Sequence, residues 1–352
     1  MEAASIPARQ PVASQRLRTF VSTYGLIALL AALPVYFAVH DLAGGHSLAR
    51  LGDNLVSGVS NGAIWALVAI GYTLVYGIVE LINFAHGEVF MTGSFVSASF
   101  FATLGLHSGQ SGTVLLLGLL LTLLVAMLAS GALNTMIERV AYRPLRSAPK
   151  LAPLITAVGM SFILQNVGQL WKGGSPQGIP DLINAQHVLW QPLGVPIANG
   201  DVMAVAATIP LLLVMTTFIG RSRLGKAMRA TAQDPDAAKL MGINVDTTIS
   251  LTFLLGGMLA GAAGLIYALY QTTIWYFQGF TGGLIAFTAA VMGGIGNLRG
   301  AVVGGLIIGC IQQLSDNRIG PEWTPAVVFA YLVGIMVFKP SGLLGEQTRE
   351  AG

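Results

Sequence analysis

Long stretches of this chain carry no Asp, Glu, Lys or Arg, and that one feature decides what it can fold into. Such runs lie near residues 20–40, 54–78, 89–106, 113–137, 151–171, 202–219, 247–270, 281–296, 300–315 and 324–338. A hydrocarbon layer about 30 Å thick is crossed by about 20 helical residues, and unpaired backbone groups there cost several kcal/mol, so only helices and closed barrels span it. The runs are continuous rather than alternating segments of about ten residues, which argues against a barrel. The expected fold is an all-α polytopic membrane protein. The two runs flanking Arg299 are short and glycine-rich, which sets the expectation at eight to ten transmembrane helices with room for re-entrant segments. Composition agrees, since 9% of the residues are charged and 54% hydrophobic, whereas a soluble domain carries about 25% charge.

The net charge of +3 is too small and too dispersed for nucleic-acid binding. Cys310 is the only cysteine, which excludes an intrachain disulfide and a cysteine-based metal site. With an even number of spans and a cytoplasmic N-terminus, only Arg50, Lys172 and Arg318 of the 18 Lys and Arg fall outside. That is the positive-inside pattern. The first run follows Arg16 and Arg18 and is longer than the roughly 7–15 apolar residues of a signal peptide, so it reads as a retained anchor. The segment Lys172–Gly200 holds Pro176, Pro180, Pro192 and Pro196 around Val188, Leu189 and Trp190, and reads as a compact extracytoplasmic cap with a short hairpin.

Two nucleotide motifs fail. Gly220 to Lys226 has P-loop spacing, but Ala227 stands where Ser or Thr would ligate magnesium, and a membrane span precedes it instead of a buried strand. Met292-Gly-Gly-Ile-Gly-Asn297 lacks both dinucleotide spacing and a βαβ setting. Close helix packing or a broken helix explains its glycines better, and the four-residue spacings Gly257/Gly261, Gly300/Gly304 and Gly305/Gly309 favour close helix approach. His40, His46, His107 and His187 fall in outside segments without ligand spacing. No nucleophile or metal constellation is present, so a membrane-embedded enzyme is disfavoured and no cofactor is expected.

Two places carry information. Between the second and third runs, Glu80, Asn83, His86 and Glu88 interrupt apolar sequence. Polar groups at such depth usually line a bundle interior or cavity; the alternative is a wet cytoplasmic turn. The second place is the 221–246 loop, where Asp234 and Asp236 flank Pro235 at the start of a short helix, Ala237 to Met241, that Gly242 closes. A loop with its own capped helix offers a docking surface to a soluble partner; an interfacial helix on anionic lipid is the competing reading.

At these places the chain resembles the H-type permease subunits of bacterial ABC importers for branched-chain amino acids. The resemblance rests on Asn61 to Gly77, Ile82-Asn-Phe-Ala-His-Gly-Glu88, Thr156 to Asn166, Arg223 to Pro235 and Val291 to Gly300, in order. It implies a permease domain over 51–345, an N-terminal extension with an extra membrane anchor over 1–50, and a cytoplasmic tail over 346–352. It implies that Asp236, Ala237, Ala238 and Gly242 form the coupling motif toward ATPases, with Asp in the first place where the family has Glu and without the distal Leu-Pro. Asn83, His86 and Glu88, with Gln165 and Asn166, are the expected pathway residues, and Gly293, Gly294, Gly296, Gly300 and Gly304 the expected packing and break positions. The implied partners are a second permease subunit, two ATPase subunits, an extracytoplasmic substrate-binding protein and membrane lipid, and the implied location is the bacterial inner membrane. A permease for urea or short amides is the near alternative. A proton-coupled carrier using Glu80, His86 and Glu88 as a relay is the alternative of a different class.

Overall fold

A computed structural model of the chain describes residues 12–45, 47–146, 148–149 and 151–345. His46 and the expected tail at 346–352 lie outside the described residues. The helices and strands are α1 (Val12–Ala43), α2 (Ala49–Val79), α3 (His86–Thr103), α4 (Gly112–Ile137), α5 (Leu151–Lys172), β1 (Gln177–Gly178), β2 (Val188–Trp190), β3 (Ile197–Ala198), α6 (Asn199–Arg221), α7 (Arg223–Gln233), α8 (Pro235–Leu240), α9 (Val245–Gln271), β4 (Thr273–Ile274), α10 (Gln278–Gly293), α11 (Leu298–Arg318) and α12 (Thr324–Phe338). Each charge-free run coincides with a helix, the runs at 89–106 and 281–296 extending three residues past the ends of α3 and α10. Among the described residues, seven helices are long and apolar enough to cross a membrane, and α12 is a shorter apolar one.

The core is built around α2, in which every residue from Ser60 to Val75 is buried. Helices α3, α9, α10 and α11 surround it, and α1, α4, α5, α6 and α12 present leucine, valine and phenylalanine outward, as lipid-facing helices do. Small residues let the central helices approach backbone to backbone. A Cβ on Gly309 would sit 2.3 Å from the Gly62 Cα, and one on Gly261 would sit 2.4 Å from the Ala126 carbonyl oxygen. The four-residue glycine spacings thus mark the α2–α11 and α4–α9 seams.

The helix ends sort onto two faces. On one, Arg318 at the end of α11 forms a bidentate ion pair with Asp41 near the end of α1, at 2.8 and 2.7 Å. There β2 and β3 form the expected antiparallel hairpin, and β1 pairs with β4. The opposite face carries α7 and α8 and most of the arginine and lysine among the described residues. Residues 223–233 fall within the segment 221–246 expected as a loop. They form instead the 11-residue helix α7, capped by the Ser222 hydroxyl accepting from the Gly225 amide at 2.9 Å. Gly225, part of the failed P-loop pattern, is packed against the Ile219 carbonyl in this tight α6–α7 turn.

Two helices do not start at a face. After Val79 the chain turns back, and His86 packs against Gly71 and lies T-shaped on Tyr72 with ring centroids 4.8 Å apart. Gly71 is eight positions before Val79, so residues 80–85 retrace about 12 Å of α2 before α3 begins. Helix α10 comes from the hairpin face and starts equally deep: a Cβ on Gly87 would sit 2.2 Å from the Gly279 carbonyl oxygen. The N-termini of α3 and α10, approached from opposite faces, meet inside the bundle.

Candidate functional site

Glu88, in the first turn of α3, lies where those N-termini meet, and helix N-termini carry partial positive charge. It is fully buried. The Ser161 hydroxyl of α5 donates to its Oε1 at 3.2 Å, while Oε2 has no hydrogen-bond partner among the described residues. A Cβ on Gly279 would lie 2.2 Å from that Oε2, so only glycine leaves it room. Ser161 and Gly279 also line a small cavity of about 60 Å³ between α2, α5 and α10, walled by Phe84, Phe162, Phe280 and Phe287 with Tyr72.

The other expected pathway residues divide. Asn83 is buried and pins the retracing segment: its amide donates to Asn134 Oδ1 at 3.0 Å, and its Oδ1 accepts from the Ala85 amide at 3.2 Å and the Tyr142 hydroxyl at 3.3 Å. Asn134 in turn donates to the Phe253 carbonyl of α9 at 2.6 Å. His86 is buried between Gly71 and Tyr72. Glu80 is exposed at the left-handed end of α2, with φ 52°, away from the buried His86 and Glu88. On α5, Gln165 is half-buried one turn beyond Ser161, whereas Asn166 is exposed and bonds back to the Phe162 carbonyl at 2.8 Å. The structure therefore brings Asn83, His86 and Glu88 into one buried region and leaves Asn166 on the outer surface of α5.

The glycines after α10 form a tight joint to α11. Gly294 and Gly296 take φ of 109° and 90°, and Asn297 caps α11 by accepting from the Arg299 and Gly300 amides at 3.0 and 3.1 Å. Gly293 and Gly300 pack backbone to backbone, and Gly304 sits against the Ala289 carbonyl.

On the basic face, α8 is a short protruding knuckle. The Asp234 carboxylate accepts from the Asp236 and Ala237 amides, both at 2.9 Å. The C-terminus closes as a Schellman turn: the Ile243 amide reaches the Ala238 carbonyl, the Gly242 amide reaches that of Lys239, and Gly242 takes φ 82°. Ala238 is buried and seats the knuckle. Leu240 and Met241 are 89% and 82% exposed at its tip. Asp236 pairs with Lys239 on the exposed side.

One arrangement went unnoticed in the sequence. The chain leaves α4 through a π-helical turn, Glu138–Tyr142, in which Glu138 is fully buried. Glu138 is held by Arg146 and by the Ser250 hydroxyl of α9 at 2.7 Å, while Arg146 and Arg143 both reach Asp246 in the first turn of α9. Charges that serve in sequence only as orientation markers form a clasp between α4 and α9.

The family described as branched-chain amino acid transport system / permease component matches residues 54–336. The chain belongs to this family. It is 41% identical over 295 residues to the high-affinity branched-chain amino acid transport system permease protein LivH of Escherichia coli K12, covering 83% of this chain and 95% of the relative. It is 40% identical over 298 residues, with the same coverage, to the permease protein BraD of Pseudomonas aeruginosa. A more distant relative, the autoinducer 2 import system permease protein LsrC of Klebsiella pneumoniae, is 27% identical over 199 residues, covering 53% of this chain and 55% of the relative. No solved structure matches the chain. The family match begins inside α2, so α1 precedes the shared region.

Proposed function

We propose that this chain is the membrane-spanning permease subunit of an ABC importer in a bacterial inner membrane, with a cytoplasmic N-terminus, carrying branched-chain aliphatic amino acids. A second permease completes the pathway, two ATPase subunits drive it, and an extracytoplasmic binding protein delivers the substrate. The observation that carries this reading is the knuckle. A self-contained carrier has no use for a capped helix whose leucine and methionine stand uncovered on a basic face, whereas an ATPase groove buries them. Of its motif residues, Asp236 and Ala237 give the amides that Asp234 caps, Ala238 is the seat and Gly242 closes the C-terminus. On the opposite face, Leu193 at the hairpin tip is 99% exposed with Trp190 beside it, which supports contact with the binding protein there.

Energy enters as motion. ATPase closure favours one arrangement of the bundle only if the docked knuckle has different contacts in the two arrangements. The path runs past Asn83 in the retracing segment and His86 and Glu88 at the start of α3, with Gln165 behind Ser161, and Asn166 faces the second permease from the outer side of α5. Residues 51–345 form the transport unit and 1–50 an added anchor. The test is purification of the chain from its native membrane with identification of the co-purifying subunits, together with uptake assays. Uptake that survives an uncoupler and stops on ATP depletion supports the reading. Uptake that stops with the uncoupler and ignores ATP, with no ATPase in the complex, refutes it.

A further inference from the structure

We propose that Glu88 and the aromatic cavity between α2, α5 and α10 form a substrate subsite, in which Glu88 receives the α-ammonium of an aliphatic amino acid and the cavity its side chain. The inference rests on the reading of the chain as an amino-acid permease and assigns that substrate a place. Its starting point is a carboxylate that is fully buried yet half satisfied: Oε1 accepts from Ser161 and Oε2 accepts from nothing among the described residues. A buried acceptor without a donor is costly, and structures retain one where a ligand or a conformational change supplies the donor. The two helix N-termini that meet beside Glu88 account for an acid at this depth but donate nothing to Oε2.

What separates Oε2 from the cavity is thin. The Ser161 hydroxyl, which holds Oε1, and Gly279, whose Cβ position lies 2.2 Å from Oε2, both belong to the cavity wall. A parting of α5 from α10 places the carboxylate in the cavity. The walls beyond are mostly aromatic, and a recess of about 60 Å³ suits a small apolar group. An acceptor for a cation, a compact apolar recess beside it and the positive ends of two helices nearby match the three substituents on the α-carbon of a zwitterionic aliphatic amino acid: ammonium, side chain and carboxylate. The match fits leucine, isoleucine or valine, and fits neither urea, which has no side chain, nor an uncharged amide.

The experiment places a single thiol in the wall. Val158 lines the cavity and is partly exposed. Val158→Cys in a Cys310→Ser background, expressed with its partner subunits, is labelled with a small thiol reagent, and protection is read with three probes: leucine, 3-methylbutylamine and 4-methylpentanoate. Leucine should protect best, the amine next, and the acid that lacks an ammonium least. Adding Glu88→Gln should raise the leucine concentration needed for protection at least about tenfold, the loss of one charge-assisted hydrogen bond. Phe162→Ala instead enlarges the recess and should admit phenylalanine as a protector while leaving Glu88 in place. Equal protection by 4-methylpentanoate and leucine, or no change with Glu88→Gln, overturns the subsite. ATP-driven leucine import measured on the same membranes separates the two levels: import without leucine protection overturns the subsite alone, and the absence of aliphatic amino-acid import overturns the functional reading together with it.

Discussion

The knuckle permits the sharpest test of function, because its perturbation separates docking from folding. Leu240→Asp and Met241→Asp change side chains that are 89% and 82% exposed and seat nothing within the chain, the seat being Ala238. Substitutions at such positions shift stability by no more than about 0.5 kcal/mol. Docking is another matter. Burying one such side chain contributes about 1.5–3 kcal/mol, so losing both removes roughly 3–6 kcal/mol, and an acidic group in an apolar groove adds a desolvation cost. At about 1.4 kcal/mol per factor of ten, ATPase affinity should fall by roughly 10² to 10⁴. The assay is co-purification of the ATPases with the tagged permease beside its thermal unfolding curve, with Leu193→Asp on the opposite face as the control. Loss of the ATPases with an unchanged unfolding temperature is the expected result. A double variant that keeps its ATPases and imports at the wild-type rate would refute the assignment of α8 as the coupling element.

Four shorter tests bear on the rest. With Cys310→Ser as background, cysteine at the exposed Gln186 should react with an impermeant thiol reagent in outer-membrane-permeabilised cells and cysteine at Gln233 should not; reversed labelling would invert the topology. Asp41→Asn strands the partly buried Arg318 and should weaken the docking of α1 by about 1–3 kcal/mol, seen as a lower unfolding temperature that the pair Asp41→Asn with Arg318→Met partly recovers. Gly309→Ala drives a methyl group into the Gly62 backbone and should cost about 3 kcal/mol or more, whereas Gly159→Ala, which meets nothing within 4 Å, should leave thermal stability unchanged or slightly higher. Asp246→Asn should leave the ATPases bound but lower amino-acid import per ATP hydrolysed by about two- to fivefold, the scale of a half-exposed ion pair.

What the sequence revealed and what it hid follow from the range of the forces involved. Helix positions were legible because hydrocarbon forces each span to satisfy its own backbone, a constraint written into consecutive residues. The caps of α8 were legible for the same reason, since Asp234 acts two and three residues ahead and Gly242 closes the turn it belongs to. The charge-rich α7 was missed because Arg223, Lys226 and Arg229 read as loop, while its helix is fixed by Ser222 and by packing on Ile219. The surroundings of Glu88 were out of reach: Ser161 lies 73 positions away and Gly279 comes from another helix altogether, so the sequence could mark the acid as misplaced in lipid but could not supply its partners. For Asn83 the structure adds a duty that spacing did not suggest. Three hydrogen bonds make it the pin of the retracing segment, so loss of activity on its removal mixes transport with folding.

The packing also divides the molecule into parts that can and cannot shift. Helices α2, α4, α9, α10 and α11 meet through backbone contacts in which even a methyl group would collide, and seams of that kind slide only at high cost. Helix α5 differs. Its buried residues are the single stripe Pro153, Ala157, Ser161 and Gly168, and its other sides are exposed or partly so. The entry into α5 follows Arg143 and Arg146, both held by Asp246 in the first turn of α9, and α9 continues from the knuckle through Gly242, Ile243 and Asn244. The ion pairs of Asp246 with Arg143 and Arg146 thus tie the start of α9, which follows the knuckle, to the turn after α4, and α5 is the helix that contributes Ser161 beside Glu88. The knuckle and the buried carboxylate therefore lie at the two ends of one series of contacts, which is what a transporter needs if ATPase closure on one face is to open a site at mid-depth.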